Sequence, residues 1–293
     1  MNPGDVNADG VNPDGVNPDG VSLSGMNPDV AELGRVDRVI GLERGEADGV
    51  VVGRIPVADH TRGPGGGLRA GVLLTAIDAV GGLACGLASL PAWIVSTNLM
   101  VRVGRLDHTG PLRLQATMLR TGKAATVAAV SVHDEGADDE AVAHGILTSA
   151  VLRPAGGPPR LDRPVHISPP PFTASGALEA MFGIEPAEGQ LTVLRVNDSI
   201  RNRWGILHGG GVAVLADVAA TRAVGGEGAA ADAVVHYLQP VRVGPVEARC
   251  RVAGTRTDAT VVTVSMYDRG NDGRQVALAS ITIRRGLGLN RSR

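Results

Sequence analysis

The 293-residue chain is poor in aromatic residues, lysine and cysteine. Only six residues are Trp, Tyr or Phe, which argues against a nucleic-acid module that stacks bases on aromatic platforms. The formal net charge is −2 and the arginines are scattered, which argues against binding to a phosphate backbone. Cys85 and Cys250 have neither metal-ligand spacing nor a disulfide framework. We therefore expect a cytoplasmic protein with no metal and no other cofactor.

A long uncharged stretch, Ala79 to Val101, has the length of a membrane span. It is interrupted by glycines and by Pro91, so we predict a buried helix, a turn at Pro91 and then a strand. The N-terminal residues are acidic and lack the apolar core of a secretory signal. No membrane partner is therefore expected.

Two segments of unusual composition divide the chain. Residues 1–30 repeat Asn-Pro-Asp-Gly-Val, which predicts a disordered tail. A calcium-binding repeat is the alternative, although the ligand spacing of calcium loops is not reproduced. Residues 153–171 contain seven prolines and are predicted to be a linker. Two domains of similar length remain, 31–152 and 172–293.

The two domains repeat each other. Residues 124–149 and 258–283 are identical at 11 of 26 positions when one copy is shifted by 134. Asp78 corresponds to Asp217 at a shift of 139. A duplication is the simplest interpretation. Each copy is predicted to contain a strand, a long helix and four further strands, which is an α+β arrangement with an antiparallel sheet. The predicted helices are 70–89 and 209–224; the predicted strands are 49–57, 94–103, 111–120, 124–134 and 140–152 in the first copy, and 190–197, 232–241, 245–254, 259–268 and 275–285 in the second.

A glycine-rich helix start is the first chemical candidate. Asn202 and His208 precede Gly209, Gly210 and Gly211, and an apolar helix follows. The unpaired N–H groups of a helix start, with the positive end of the helix dipole, can stabilise an oxyanion on an acyl carbonyl. The alternative is a glycine turn that only lets the helix pack tightly.

Two acidic residues, Asp78 and Asp217, lie inside otherwise uncharged helices. A buried carboxylate is costly unless it has a role or partners, and hydroxyl or backbone partners are the structural alternative. Asp217 is eight residues beyond Gly209, about 12 Å along a helix, so these two cannot serve one carbonyl. A site must combine the helix start of one copy with the aspartate of the other.

The motif of Asn202, Gly205, His208, Gly209 and Gly210, followed by Leu-Ala-Asp, resembles the hotdog-fold acyl-CoA thioesterases, especially the phenylacetate-pathway type. Further likenesses are the segments 237–240 (Tyr-Leu-Gln-Pro) and 119–123 (Leu-Arg-Thr-Gly-Lys). The resemblance implies two tandem hotdog domains, each a long central helix wrapped by an antiparallel sheet. It also implies composite sites between paired hotdogs, and acyl-CoA as the substrate.

The resemblance implies residue roles as well. Asn202 and Gly209 would polarise the thioester carbonyl. Asp78 or Asp217 would activate water or attack directly. A hydroxyl residue eighteen positions after the aspartate, which is Ser96 in the first copy, would help to hold the water.

Departures from the family pattern predict that only one site is competent. In the first copy the Asn, His and first Gly positions hold Gly63, Arg69 and Ala70, and in the second copy Ala230 stands where the first has Ser96. We therefore expect one site built from Asp78, Ser96, Asn202 and Gly209, and one decayed site around Asp217 and Ala70.

Supporting residues complete the prediction. His208 is expected to support the loop, and Gly210 and Thr97 are candidate supports. Arg120 and Lys123 are candidates for binding the coenzyme A phosphates, with a solvated basic edge as the alternative. We expect the double-hotdog chain to form a homodimer.

Three other functions were considered. An α/β-hydrolase would need Gly-x-Ser-x-Gly, which the chain lacks. A hotdog enoyl-CoA hydratase would need a proton-shuttling pair, for which His208 and Asp78 are candidates. A non-catalytic acyl-CoA-binding protein is the strongest alternative from another class.

Overall fold

The computed structural model describes residues 35–153, 177–188, 191–202, 205–226 and 228–285. The predicted tail (1–30) and the linker (153–171) beyond its first residue lie outside the described residues. The helices are α1 (Arg35–Ile40), α2 (Ala70–Ser89), α3 (Leu178–Phe182) and α4 (Gly209–Ala223), with 3-10 turns at Asp59–Thr61 and Asp198–Ile200. The strands of the first half are β1 (Glu43–Ala47), β2 (Val50–Ile55), β3 (Trp93–Val103), β4 (Leu112–Thr121), β5 (Ala125–Asp134) and β6 (Glu140–Leu152). Those of the second half are β7 (Ile184–Pro186), β8 (Thr192–Leu194), β9 (Ala229–Tyr237), β10 (Val246–Thr255), β11 (Ala259–Asp268) and β12 (Arg274–Arg284).

All twelve strands form one antiparallel sheet with the order β1-β2-β4-β5-β6-β3-β9-β12-β11-β10-β8-β7. The second six strands repeat the order of the first six in reverse, and the halves join where β3 pairs with β9. The equivalent strands β5 and β11 have the same alternation of buried and half-buried residues. This period of two is that of strands with one face on a core.

Helix α2 is the core helix of the first half. Its run of Ala, Val, Leu and Ile has no charged residue except Asp78, and every residue from Ala70 to Gly81 is buried. It is long and apolar enough to cross a membrane by length and composition, and 78% of that stretch is buried inside the molecule. The helix ends before Leu90 and Pro91, because the residue before a proline is disfavoured in helical geometry.

The two long helices touch through glycines at equivalent positions. A Cβ added to Gly71 would lie 2.7 Å from the backbone of Val214, and one added to Gly210 would lie 2.3 Å from the side chain of Thr75. The Thr75 hydroxyl donates to the Gly210 carbonyl oxygen at 3.2 Å. This close approach brings the start of each helix beside the aspartate of the other.

The predicted long elements match the structure within about three residues at most ends, and the helix 70–89 and the strands 140–152 and 259–268 match fully. Four short elements were not predicted: α1, β1, α3 and β7. Each has three to six residues, too few for a hydrophobic period to emerge.

Candidate active site

The principal cavity among the described residues has a volume of about 670 Å³. It lies between the outer side of α2, the start of β3 and loops of the second half. All four residues predicted for the competent site line it, together with His208 and Thr97: Asp78, Ser96, Asn202 and Gly209. Two distant parts of the chain therefore meet at one cavity, as the spacing argument required.

The first half contributes a carboxylate held by a hydroxyl. Ser96 donates a hydrogen bond to Oδ1 of Asp78 at 2.5 Å, and Asp78 is 7% exposed. Strand β3 runs back alongside α2, and a register shift between Ser96 and Asn98 interrupts its pairing with β6. Thr97, at this irregularity, donates to the Thr148 carbonyl oxygen at 3.0 Å and also lines the cavity.

The second half contributes a helix start that lies against this carboxylate. A Cβ placed on Gly209 would lie 2.8 Å from Oδ2 of Asp78 and 3.1 Å from the hydroxyl of Tyr237. Tyr237 donates to the Gly209 carbonyl oxygen at 3.0 Å. Burial, with the nearby charge of Asp78, raises the pKa of Tyr237 well above its usual value, so this hydroxyl remains protonated and a donor.

The amide N–H of Gly209 has no acceptor among the described residues. The first N–H groups of a helix have no intrahelical partner, so this donor is available to a ligand. Only glycine leaves the space between this amide and Asp78 open. The arrangement therefore puts a hydrogen-bond donor and a carboxylate close together at the cavity wall.

His208 caps α4 and is a neutral imidazole in this arrangement. Its Nδ1 accepts the Gly210 amide hydrogen at 2.9 Å, so Nδ1 carries no proton and the ring proton is on Nε2. Nδ1 also lies 3.8 Å from Oδ2 of Asp78, but without a proton there the pair is not an ion pair. His208 thus lies at the N-cap of α4, and its role as a support of the loop stays a prediction.

Asn202 closes the turn that leads to this helix start. Its amide donates to the Ile206 carbonyl oxygen at 2.8 Å, and its own carbonyl oxygen accepts from the Gly205 amide at 2.9 Å. A positive φ of 69° at Gly205 makes this tight turn possible. Asn202 lines the same cavity as Gly209.

The equivalent region around Asp217 is filled by an arginine. Oδ2 of Asp217 accepts from Nε of Arg69 at 3.3 Å and from the Gly71 amide at 3.1 Å, while Arg69 also contacts Glu179 at 3.1 Å. Burial alone would lower the pKa of Arg69, but the two carboxylates raise it above its usual value. The space left there is about 10 Å³, enough for one water at most.

The strand register confirms which residues correspond. Ser96 pairs with Ser149 just before the irregularity in β3, and Ala230 pairs with Ile283 just before the irregularity in β9. Ala230, Gly63 and Ala70 all line the small space near Asp217. The region around Asp217 thus has an alanine, Ala230, where the first half has Ser96, and an arginine occupies the histidine position.

Two sequence comparisons with known proteins bear on the family. Residues 205–274 match the thioesterase superfamily model. An esterase-like protein of Saccharolobus solfataricus is 31% identical over 116 residues, which are 40% of this chain and 79% of that relative. The chain belongs to the thioesterase superfamily.

Solved structures of low sequence identity share the fold of this superfamily member. A thioesterase-like protein of Novosphingobium aromaticivorans has a TM-score of 0.57 at 18% identity, over 83% of this chain and 98% of that chain. The TesB protein of Mycobacterium avium subspecies paratuberculosis has a TM-score of 0.57 at 14% identity, over 87% of this chain and 100% of that chain. Together with the two helices and the large antiparallel sheet, these likenesses confirm the predicted fold of two tandem hotdog domains.

Two predicted residues of this superfamily member are not brought to the cavity. Arg120 and Lys123 are exposed near the end of β4, which β5 and β6 separate from β3. Neither lines the cavity, so their proposed contact with coenzyme A stays a prediction. Arginines that the sequence prediction missed, Arg201 and Arg242, do line it. No period or motif distinguishes them from the many other surface arginines.

Cysteine and metal chemistry find no support among the described residues. Burial raises the pKa of the Cys85 thiol, and that of Cys250 is raised by burial to about 11. Neither cysteine lines the cavity, and no group of three metal-ligating side chains occurs in the described part of the chain. The carboxylate of Asp78 is the acidic group at the cavity wall.

Proposed function

We propose that the chain is an acyl-CoA thioesterase that hydrolyses its substrate to a free acid and coenzyme A at one composite site per chain. The observation that carries the proposal is the contact between halves: Asp78, with its Ser96 hydrogen bond, lies against the start of α4 at Gly209, and both line a large cavity. Membership of the thioesterase superfamily supports this chemistry.

The proposed reaction uses the two halves in different steps. The thioester carbonyl oxygen accepts hydrogen bonds from the Gly209 amide and the Asn202 side chain, which stabilise the developing oxyanion. Asp78 takes a proton from a water molecule held by Ser96 as the water oxygen attacks the carbonyl carbon. The tetrahedral intermediate collapses with cleavage of the C–S bond, and the thiolate takes up the proton. Direct attack by Asp78, through an anhydride, is the other route that this geometry serves.

Two arginines that line the cavity, Arg201 and Arg242, are candidates for binding the phosphates of coenzyme A. Arg242 is exposed, and no carboxylate of a described residue lies within 4.0 Å of its guanidinium. Arg201, whose guanidinium donates to the Arg242 carbonyl oxygen at 3.2 Å, lies beside it. Guanidinium groups suit phosphate oxygens, so we propose Arg201 and Arg242 as coenzyme A contacts, and the contact of Arg120 and Lys123 stays a prediction.

A thiol-release assay tests the proposal. The purified full chain is given a panel of short, medium and long acyl-CoA substrates and phenylacetyl-CoA, since the phenylacetate-pathway type is the resemblance in the sequence. We expect thiol release that Asp78→Ala abolishes. Binding of acyl-CoA without release would make the chain a non-catalytic binder, and hydration of an enoyl-CoA without release would make it a hydratase.

A further inference from the structure

Two glycines in the core helix α2 are at positions where the packing would allow a larger side chain. A Cβ added to Gly82 or Gly86 would meet nothing within 4 Å. By contrast, one added to Gly71 would lie 2.7 Å from the backbone of Val214, and one added to Gly81 would lie 3.3 Å from Leu147. Glycine inside a helix is destabilising, so Gly82 and Gly86 carry a cost that tight packing does not explain.

Both glycines open onto the cavity of the proposed active site. They lie four and eight residues beyond Asp78 and so share its helix face. At a rise of about 1.5 Å per residue, they are about 6 and 12 Å from Asp78 along the axis. The helix face that carries Asp78 is therefore bare of side chains at two successive turns, on the side that lines the cavity.

Trp93 lies level with the far end of this bare face. Ser96 is hydrogen-bonded to Asp78, and Trp93 precedes Ser96 by three residues on β3, about 10 Å at the rise of a strand. Trp93 and Gly86 are therefore at a similar distance from the carboxylate, and both line the cavity. Apolar side chains of the same helix and of neighbouring strands also line the cavity: Leu83, Leu87, Ile94 and Leu152.

The described residues of the second half differ at the positions that correspond to Gly82 and Leu83. The position of Gly82 is occupied by Thr221, whose hydroxyl lies 3.4 Å from Oδ1 of Asp217. The position of Leu83 is occupied by a charged residue, Arg222. The bare face therefore belongs to the half that keeps the aspartate and serine together.

We propose that Gly82 and Gly86 form the acyl-binding groove and select a straight aliphatic acyl group. This inference rests on the proposed function, because Asp78 marks the reacting end of the groove. At roughly 1.3 Å of advance per carbon, from carbon–carbon bonds of about 1.5 Å, a 12 Å groove accepts an extended chain of about eight to ten carbons. Trp93 and Leu152 bound it at the far end.

Replacing the glycines with leucine shortens the groove at two defined depths. Gly86→Leu fills the distal part and Gly82→Leu the proximal part, while leucine favours the helix more than glycine does. A matched control is Ala88→Leu, which adds bulk to the same helix at an exposed position outside the cavity. The measurement is kcat/KM for thiol release from butanoyl-, hexanoyl-, octanoyl-, decanoyl- and phenylacetyl-CoA.

We expect wild type and Ala88→Leu to prefer octanoyl- and decanoyl-CoA. Each methylene that the substrate buries is expected to raise kcat/KM about fourfold. Gly86→Leu should therefore lower decanoyl-CoA turnover about 50-fold or more and leave butanoyl-CoA unchanged. Gly82→Leu should also lower hexanoyl- and octanoyl-CoA turnover.

The outcomes separate this inference from the proposed function. An active wild type with the same chain-length profile in all variants, or with phenylacetyl-CoA as its best substrate, overturns the groove but keeps the thioesterase. No thiol release from any substrate overturns the thioesterase. In that case calorimetry with decanoyl-CoA still tests the groove, which requires binding by wild type and Ala88→Leu and weaker binding by Gly86→Leu.

Discussion

The two halves share one fold, but the surroundings of their equivalent aspartates differ. Asp78 is held by a neutral hydroxyl and faces an open cavity. Asp217 is bound by the guanidinium of Arg69 and by a backbone amide, and the space beside it is closed. A carboxylate in an ion pair with a cation uses its oxygens to stabilise the fold. A carboxylate that accepts only from a hydroxyl can still act on a ligand.

A second pair of aspartates shows what an unchanged role looks like. Asp134 accepts from the amides of Thr109 and Gly110, and Asp268 accepts from those of Val243 and Gly244, at the equivalent loops. Both aspartates are fully buried, and each binds the backbone amides of the equivalent loop in its own half. The divergence around Asp78 and Asp217 is therefore local to the composite sites, and does not reflect a general loosening of one half.

The largest effect that we expect is the difference in kcat between Asp78→Asn and Asp217→Asn. Asp78→Asn removes the proposed base, so we expect kcat to fall by about two to four orders of magnitude, with little loss of stability. Asp217→Asn leaves Arg69 buried with a weaker partner, so we expect about 3 kcal/mol less stability and nearly unchanged kcat. Steady-state kinetics and denaturant unfolding of both variants measure the two effects. Equal loss of kcat in both would refute the asymmetry.

The next effect concerns the helix start. In Gly209→Ala the new methyl would lie 2.8 Å from Oδ2 of Asp78, so either the carboxylate or the helix must move. We expect kcat to fall about a hundredfold, comparable to the loss of an oxyanion donor. The matched change at the equivalent position, Ala70→Gly, should cost about 1 kcal/mol of stability or less and leave kcat unchanged. A fully active Gly209→Ala variant would exclude this helix start from the site.

A smaller effect is expected from the serine beside the carboxylate. Ser96→Ala removes the hydrogen bond to Asp78, and hydrogen bonds to charged groups are worth about 1.5–3 kcal/mol. We expect kcat to fall about tenfold or somewhat more. Ala230→Ser should give no second active site, because Arg69 still fills the space near Asp217. The control is the double variant Asp78→Asn with Ala230→Ser: regained turnover there would mean that Arg69 does not block the second site.

Much of the fold could be predicted because the sequence contains the same pattern twice. The repeat fixed the order of the long elements, and the distance between Gly209 and Asp217 along one helix forced a composite site. Tyr237 was noticed in a motif, but its hydrogen bond to the Gly209 carbonyl depends on how β9 lies against α4. The pairing of Arg69 with Asp217 and Glu179 was likewise hidden, because it joins residues more than one hundred positions apart.

The smallest predicted effect is on stability in mild acid and comes from another pair of equivalent positions. Arg242 is exposed, but its equivalent His108 is buried, where Nδ1 accepts from the Leu68 amide and Nε2 contacts the Arg105 carbonyl oxygen. Burial lowers the pKa of His108 below its ordinary value of 6.5, so the fold favours the neutral ring. This contribution is complete above about pH 6.5 and is lost as the pH falls below it.

Denaturant unfolding between pH 7.5 and 5 measures this contribution. We expect the unfolding free energy of wild type to fall more steeply with decreasing pH than that of His108→Gln, which cannot gain a proton. The other histidines and all carboxylates are common to both proteins, so the difference in slope isolates His108. Parallel curves would mean that the His108 ring takes up a proton equally readily in the folded and the unfolded chain, and the two loops would then be alike in their response to acid.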